Sequence, residues 1–180
     1  MSRKGKIPIT LAKDVKINIQ TGHVLVEGPK GKVDLSVPQG IKIEQKEGQL
    51  HISRLNDTKQ DRANHGTIRS RLAQNIIGVT KGHKRDLEIQ GIGFRANLQG
   101  KKILFILGYS HPVEFQCPEG IKATLPSQTA ISIEGADNIL VGETAAQIRS
   151  LKPVEPYKGK GIRYVGEFVR RKQGKSVAKE

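Results

Sequence analysis

The sequence predicts an α+β fold of two duplicated units, each an antiparallel or mixed β-sheet covered by one α-helix, followed by a basic C-terminal tail. Three observations support this prediction. Short stretches that alternate apolar and polar residues, as half-buried strands do, precede one stretch with helical spacing, and this order occurs twice. A ten-residue segment of the first half recurs in the second half. The end of the chain lacks both periodicities and is rich in Lys and Arg.

The first half of the chain has the pattern of five strands and one helix. The strands are predicted at residues 15–19, 23–27, 32–37, 41–45 and 50–55, with Gly and Pro turns between them. Residues 59–80 then carry apolar side chains at helical spacing. Thr58, with Asp61 three residues later, predicts the helix N-cap, and Gly82 predicts its end.

The second half repeats this order. Its strands are predicted at residues 85–90, 95–99, 103–107, 112–116, 121–125 and 131–134, and its helix at 138–151. Residues 33–42 (VDLSVPQGIK) align with residues 113–122 (VEFQCPEGIK) at an offset of 113 − 33 = 80. Identical Val, Pro, Gly, Ile and Lys in register indicate internal duplication. The predicted organisation is an N-terminal repeat over 1–82, a second repeat over 83–152, and a basic loop and tail over 153–180.

The charge of the chain indicates a polyanionic partner. Its 180 residues include 31 Lys+Arg and 17 Asp+Glu, so the net charge is 31 − 17 = +14. Such a surplus makes a compact chain repel itself, and nucleic acid is the commonest polyanion that relieves it. An acidic membrane surface and mere solubility are the alternatives. With no long apolar run and no secretory leader, the sequence predicts a cytoplasmic protein that does not enter a membrane.

Motifs that could carry catalysis are incomplete. The glycines of Gly91-Ile92-Gly93-Phe94-Arg95-Ala96 match a dinucleotide-binding fingerprint, but a strand and not a helix is predicted after them. Gly174-Lys175-Ser176 lacks the earlier glycine of a phosphate-binding loop, because Val169 occupies that position. The five His and the single Cys117 lack metal-ligand spacing. The sequence therefore predicts no enzyme, no cofactor, no metal and no small-molecule substrate.

The segment that follows the second helix combines three features of a phosphate-contacting loop. Cations supply neutralising charge, glycines let backbone N–H groups approach phosphate oxygens, and tyrosines stack on a base or donate to a phosphate. These residues are Lys158, Lys160, Arg163, Gly159, Gly161, Tyr157 and Tyr164. Arg170, Arg171, Lys172 and Lys175 follow, and residues 152–180 carry 9 − 3 = +6 charges. A solvated tail is the alternative interpretation.

A family resemblance extends along nearly the whole chain. The stretch Glu155-Pro156-Tyr157-Lys158-Gly159-Lys160-Gly161-Ile162-Arg163-Tyr164 resembles the signature of the bacterial-type large-ribosomal-subunit protein six family (uL-six). Further collinear matches are Met1-Ser2-Arg3, Ile7-Pro8-Ile9, Gly28-Pro29-Lys30-Gly31, His65-Gly66, Gly91-Ile92-Gly93-Phe94-Arg95, Gly108-Tyr109-Ser110-His111-Pro112, Val141-Gly142 and Ala145-Ala146. The departures, at Glu143-Thr144 and Asp137-Asn138, change only helix-surface polarity.

The resemblance implies a structural, non-enzymatic constituent of the large subunit of the cytoplasmic ribosome. It implies binding to large-subunit (23S-type) rRNA near the sarcin–ricin loop and the base of the lateral stalk, beside other ribosomal proteins, where translational GTPases dock. The second repeat and its tail would make most of the contacts. The expected rRNA-binding residues are Tyr157, Lys158, Gly159, Lys160, Gly161, Arg163, Tyr164, Arg170, Arg171, Lys172, Lys175, Gly93, Arg95, Tyr109, Ser110 and His111.

Two other functions are consistent with parts of the sequence. A generic nucleic-acid-binding or chaperone protein would stack bases on exposed aromatic side chains, and the few aromatic residues argue against it. An RNA-modifying enzyme would have to use His111 with Glu155. The large-subunit rRNA-binding protein is the leading prediction.

Overall fold

The structure is a computed structural model that describes residues 5, 7–12, 14–46 and 48–175. The Met1-Ser2-Arg3 match and the last five residues of the tail lie outside this description. The chain divides into two compact units. Unit 1 comprises Met1–His83 with Gly135–Asn138, and unit 2 comprises Lys84–Glu134 with Ile139–Glu180. Antiparallel strand pairs and two helices confirm the predicted α+β class.

Unit 1 distributes its strands over two three-stranded antiparallel sheets, packed with one helix. The sheet orders are β2-β3-β4 and β1-β6-β5. The elements are β1 (Ile9–Thr10), β2 (Lys16–Gln20), β3 (His23–Gly28), β4 (Gly31–Ser36), β5 (Ile41–Lys46), β6 (Gln49–Arg54) and α1 (Lys59–Thr80). Alternation explains the burial in β3, where Val24 and Val26 are buried and the intervening Leu25 is only half-buried.

Helix α1 has the ends that the sequence predicts. The Thr58 Oγ accepts the backbone N–H of Asp61 at 3.1 Å, which satisfies one of the free donors of the first turn. At the other end Gly82 has a φ of 83°, and its N–H donates to the Gly78 carbonyl at 2.9 Å. The apolar face of the helix is buried against the sheets through Ile68, Leu72, Ile76 and Val79.

Unit 2 repeats this plan and adds a strand. Its sheet orders are β10-β9-β8 and β11-β12-β7-β13. The elements are β7 (His83–Gln90), β8 (Arg95–Gln99), β9 (Lys102–Ile106), β10 (Val113–Gln116), β11 (Ile121–Ser127), β12 (Ala130–Gly135), α2 (Asn138–Leu151) and β13 (Gly161–Tyr164). Phe105 is fully buried at the centre of a core to which α2 contributes Val141, Ala145 and Ile148.

The recurring ten-residue segment has the same local structure in both units. In unit 1 the Ile41 N–H donates to the Pro38 carbonyl at 3.1 Å, and in unit 2 the Ile121 N–H donates to the Pro118 carbonyl at 3.3 Å. Cys117 is buried, as expected for a small apolar residue in the place of a valine, and burial raises the pKa of its thiol. The duplication read from the sequence is therefore a duplication of structure.

Strand β13 has no counterpart among the residues of unit 1 that the structure describes, and it was not predicted. It pairs antiparallel with β7, with Gly161 opposite Gln90 and Tyr164 opposite Leu87. Its four residues, Gly-Ile-Arg-Tyr, are too few to show an alternating pattern. The two-residue strand β1 was not predicted, for the same reason. Both strands form because a partner strand is present, which a local pattern cannot reveal.

Candidate nucleic-acid interface

The pairing of β13 brings two of the sequence-selected stretches together. Because β13 runs antiparallel to β7 from the Gly161–Gln90 pair, the loop at 155–160 and the turn at 91–94 leave the sheet at the same end. The N–H of Ile162 donates to the Lys152 carbonyl at 2.9 Å, and the Ile162 side chain is fully buried. The start of the C-terminal segment is therefore fixed to the core of unit 2.

Residues 155–160 form a loop that the chain closes on itself. The Glu155 N–H donates to the Lys160 carbonyl at 2.8 Å, and the Gly159 N–H donates to the Glu155 carbonyl at 3.0 Å. Gly159 is buried with a φ of 72°, a conformation that favours glycine. Tyr157 and Lys158 are exposed at the tip, and Lys160 is half-exposed. The loop thus presents cationic and aromatic side chains on a hydrogen-bonded backbone.

The chain then returns to this loop after β13. The Lys172 N–H donates to the Pro156 carbonyl at 2.8 Å. A β-carbon placed on Gly159 would stand 3.1 Å from Nη2 of Arg171, so the guanidinium packs over that glycine. Arg170, Lys172 and Lys175 are exposed, as is Arg171. The cations before and after β13 are consequently brought to one region of unit 2.

Several other cations of the chain form ion pairs, whereas these have no carboxylate partner within the described residues. Elsewhere ion pairs occupy residues such as Lys32, Lys42 and Lys102. Within the described residues, no ion pair neutralises the following predicted contact cations: Lys158, Lys160, Arg170, Arg171, Lys172, Lys175 and Arg95. Their charge is available to a ligand.

The absence of a side chain at Gly161 allows close packing inside the protein. It is buried with a φ of 142°, and a β-carbon there would lie 2.7 Å from the Pro153 carbonyl oxygen and 2.8 Å from Cα of Val154. The close approach that the sequence analysis assigned to a phosphate is made here to the exit of α2. Gly161 therefore shapes the segment from within.

Arg163 and Tyr164 are also partly engaged by the protein. Nε of Arg163 donates to Glu88 Oε1 across the β13–β7 pair, and the Arg163 side chain is 21% exposed. The Tyr164 ring packs against the core of unit 2, with Cζ of Arg149 at 5.8 Å from the ring centroid. The side chains of these two residues therefore hold β13 in place, and only part of each is accessible to a ligand.

A carboxylate ties the turn after β13 to helix α2. Oε2 of Glu167 accepts a hydrogen bond from Nε of Arg149 at 3.1 Å and another from the Tyr164 N–H at 3.0 Å. The Arg149 hydrogen bond, and next that of the backbone N–H, hold the pKa of Glu167 below its usual value. The Glu167 hydrogen bond in turn raises the pKa of Arg149. We call these three residues the Glu167 clamp.

Lys152 contacts the two remaining predicted stretches, residues 91–95 and 108–112. Its Nζ lies 4.2 Å from the centroid of the Tyr109 ring and 6.0 Å from that of Phe94, within reach of a cation–π attraction. The Tyr109 hydroxyl donates to the Leu151 carbonyl at 3.0 Å, which satisfies a free carbonyl at the end of α2. Tyr109 thus supports the start of the C-terminal segment.

Phe94 joins the two glycine-rich turns. A β-carbon on Gly91 would stand 2.4 Å from the Phe94 ring, and one on Gly108 would stand 3.0 Å from it. Gly91, the first glycine of the apparent dinucleotide fingerprint, therefore makes room for an aromatic side chain. Gly93 and Arg95 remain exposed beside this contact.

Ser110 and His111 lie exposed in the neighbouring turn. Oγ of Ser110 is 3.5 Å from Nδ1 of His111, which is at the limit of a hydrogen bond. Both side chains are accessible to a ligand.

Four features of this region were not predicted from the sequence: Lys152, Glu88, the Glu167 clamp and Phe168. An acidic residue isolated in a basic stretch, as Glu167 is, indicates an ion pair and could have revealed the clamp. Phe168, which is 91% exposed, gave no periodic pattern.

Two other kinds of feature are absent from the described part of the chain. No group of three or more His, Cys, Asp or Glu residues is arranged there to hold a metal ion. Neither described helix combines the length and apolarity needed to cross a membrane.

The molecule is thus a basic, duplicated α+β protein with a cationic segment fixed to its second unit. Its sequence matches the family described as ribosomal protein L6 over residues 11–82 and 90–165. The chain belongs to the ribosomal protein L6 family, which confirms the resemblance. A member of this family is a structural ribosomal protein of the cytoplasm and not an enzyme, as predicted.

Full-length relatives agree with this membership. A protein of Chlorobium phaeovibrioides (strain DSM 265 / 1930) is 46% identical over 99% of this chain and 100% of its own length. One of Opitutus terrae is 48% identical over 99% of this chain and 100% of its own length. One of Synechococcus sp. is 49% identical over 98% of this chain and 97% of its own length. Each is named large ribosomal subunit protein uL6.

Proposed function

We propose that this chain is a structural constituent of the large ribosomal subunit and binds large-subunit rRNA through unit 2. The proposed place is near the sarcin–ricin loop and the base of the lateral stalk, where the protein supports the site of translational GTPases. Relatives of the same length named as large-subunit proteins support the assignment. Neighbouring ribosomal proteins of the stalk base are the proposed protein partners.

The observation that carries this proposal is the group of unpaired cations on the C-terminal segment. Lys158, Arg171 and Lys172 are up to 14 positions apart in the sequence. They are brought together by backbone hydrogen bonds and by the packing of Arg171 over Gly159. Phosphate contacts from Lys and Arg position a protein on RNA and supply much of its affinity. A preformed cationic surface binds a folded RNA with less ordering cost than a disordered tail would.

Removing cations from the loop is expected to change the salt dependence of binding. In the double variant Lys158→Ala with Lys160→Ala, the slope of log K against log[salt] for a large-subunit rRNA fragment should become shallower by roughly 1.4 to 1.8, since each phosphate contact contributes roughly 0.7 to 0.9. Filter binding or fluorescence anisotropy between low and moderate salt measures it.

A matched control removes the same charge elsewhere. Lys16 and Lys59 are exposed lysines of unit 1, and Lys16→Ala with Lys59→Ala should leave the slope as in the wild type. Equal slopes for both double variants would remove residues 155–160 from the interface. Displacement of the wild type from rRNA by excess poly(U) would instead favour a generic nucleic-acid-binding protein.

A further inference from the structure

Phe168 places an apolar ring almost entirely in solvent. Its relative exposure is 91%, against 52% for Tyr157. A large apolar side chain held this far out of the core gains free energy when a partner covers it. The residue lies outside every contact that the site described above uses.

The backbone on both sides of Phe168 is fixed. The preceding residue is Glu167, whose carboxylate is held by Arg149 and by the Tyr164 N–H. Four residues further on, the Lys172 N–H donates to the Pro156 carbonyl at 2.8 Å. Phe168 therefore stands on a short span tethered at both ends, and little backbone entropy remains to be lost when its ring binds.

The surroundings of the ring specify an anionic partner. Residues 168–175 (FVRRKQGK) contain four cations and no acidic residue. An apolar ring flanked by cations matches an unpaired base flanked by phosphates, because the base stacks on the ring while the cations neutralise the backbone. An acid-free basic stretch does not match the mixed charges of an ordinary protein surface.

The other aromatic side chains of the segment are less suited to this contact. The Tyr164 ring packs on the core beside Arg149. Tyr157 is at the loop tip, and half of its surface is covered. Phe168 is the ring with the most free surface among the three.

We infer that Phe168 is a stacking residue that binds an unpaired base of large-subunit rRNA. This inference rests on the proposed function and adds a base contact to the phosphate contacts proposed above. It also divides the roles within the segment: the cations of residues 158–160 and 170–175 neutralise phosphates, and Phe168 holds a base.

The first test separates stacking from charge. Phe168→Ala should weaken binding to a large-subunit rRNA fragment by about 5- to 150-fold, and Phe168→Tyr should bind as the wild type does. Since no charge is lost, the line of log K against log[salt] should shift without changing slope, unlike that of the Lys158 and Lys160 variant. The thermal midpoint of Phe168→Ala should equal that of the wild type, because the side chain is exposed.

The second test uses the absence of tryptophan from the chain. Phe168→Trp introduces a single indole fluorophore at this position, and stacking on a base should quench its emission when rRNA is added. Leu55→Trp is the control, since Leu55 is 64% exposed in unit 1. Its emission should change little with the same RNA.

The outcomes distinguish the inference from the proposed function. Wild-type affinity of Phe168→Ala, or indole emission of Phe168→Trp that rRNA leaves unchanged, would overturn the stacking inference while rRNA binding stands, and a protein would then be the partner of Phe168. Failure of the wild type itself to bind rRNA in a salt-dependent way would overturn the proposed function. Weaker binding of Phe168→Ala with an unchanged slope, together with quenching, supports the inference.

Discussion

Gly161 and Gly166 both have backbone conformations that favour glycine, but their surroundings differ. Gly161 has a φ of 142° and is packed against the backbone of residues 152–154. Gly166 has a φ of 81° and has no atom within 4 Å of the position of a β-carbon. Substituting each glycine in turn therefore distinguishes the cost of backbone strain from the cost of steric overlap within one segment.

Gly161→Ala should destabilise the protein more than Gly166→Ala does. Left-handed strain alone costs about 1 to 2 kcal/mol, which is the expected loss at Gly166. At Gly161 the overlap of the β-carbon with three backbone atoms adds to this, and the loss should reach about 3 kcal/mol or more. Urea denaturation of both variants measures the free energies of unfolding. Equal losses would show that the α2 exit moves aside at no cost.

At the residue scale, the sequence shows which cations the segment contains but not which of them are paired with carboxylates of the protein. Lys158 and Arg163 look alike in the segment, yet Arg163 is paired with Glu88, which lies 75 positions earlier. Such a partner is set by strand register, and register is a tertiary property. The residues available for a phosphate could therefore be proposed from the sequence but not separated from those that hold the fold.

At the element scale, the Glu167 clamp connects helix α2 to the turn after β13. Its carboxylate accepts from a side chain of the helix and from a backbone N–H of the strand. The clamp therefore orders two elements with one charged group, and it depends on that group being ionised. This dependence makes the C-terminal segment sensitive to acid.

Glu167→Gln should remove an acid-dependent part of the stability. The pKa of Glu167 is lowered in the folded state by the Arg149 hydrogen bond, while an unfolded Glu titrates near about 4.3. A lowered folded-state pKa means that the stabilisation is complete above about pH 4.3 and is lost as the pH falls through the folded-state value. The difference in unfolding free energy between wild type and variant should thus be largest near neutral pH and should shrink toward pH 3.

Glu155→Gln provides the control for this experiment, because the Glu155 side chain is exposed in the same segment. Its pH profile should follow that of the wild type. A Glu167→Gln profile parallel to the wild type across the acid range would contradict the clamp.

Helices were predictable and the added strand was not, for physical reasons. Both helices have the predicted bounds, since capping residues and helical periodicity lie within the helix itself. Thr58 and Gly82 mark the ends of α1 in the sequence as they do in the structure. Strand β13 instead depends on β7, whose residues lie more than 70 positions away, and no local pattern encodes that pairing.

At the scale of the whole molecule, duplication has been followed by divergence. Gly40 and Gly120 occupy equivalent positions, yet only Gly120 has a positive φ, of 85°. At Gly40 a β-carbon would stand 2.0 Å from Oδ1 of Asp61, so a larger residue there would displace the Asp61 carboxylate. The cationic segment follows only the second unit, and the proposed RNA surface is likewise on one unit.

This asymmetry predicts where the molecule contacts RNA in the assembled subunit. A benzoylphenylalanine photocrosslinker in place of Tyr157 should join nucleotides of the sarcin–ricin loop or the stalk base when purified large subunits are irradiated. Primer extension on the rRNA locates the crosslinks. The same crosslinker in place of Leu55, which is exposed in unit 1, should not join those nucleotides. Crosslinks from position 157 elsewhere in the rRNA would refute the proposed location.

Strand β13 lies at the end of its sheet, where unpaired amides commonly recruit strands of other molecules. Its two outward N–H groups are already satisfied, that of Ile162 by the Lys152 carbonyl and that of Tyr164 by the Glu167 carboxylate. This border of the sheet is therefore closed to edge-to-edge polymerisation. A strand of another copy could join this edge only by displacing one of these two hydrogen bonds.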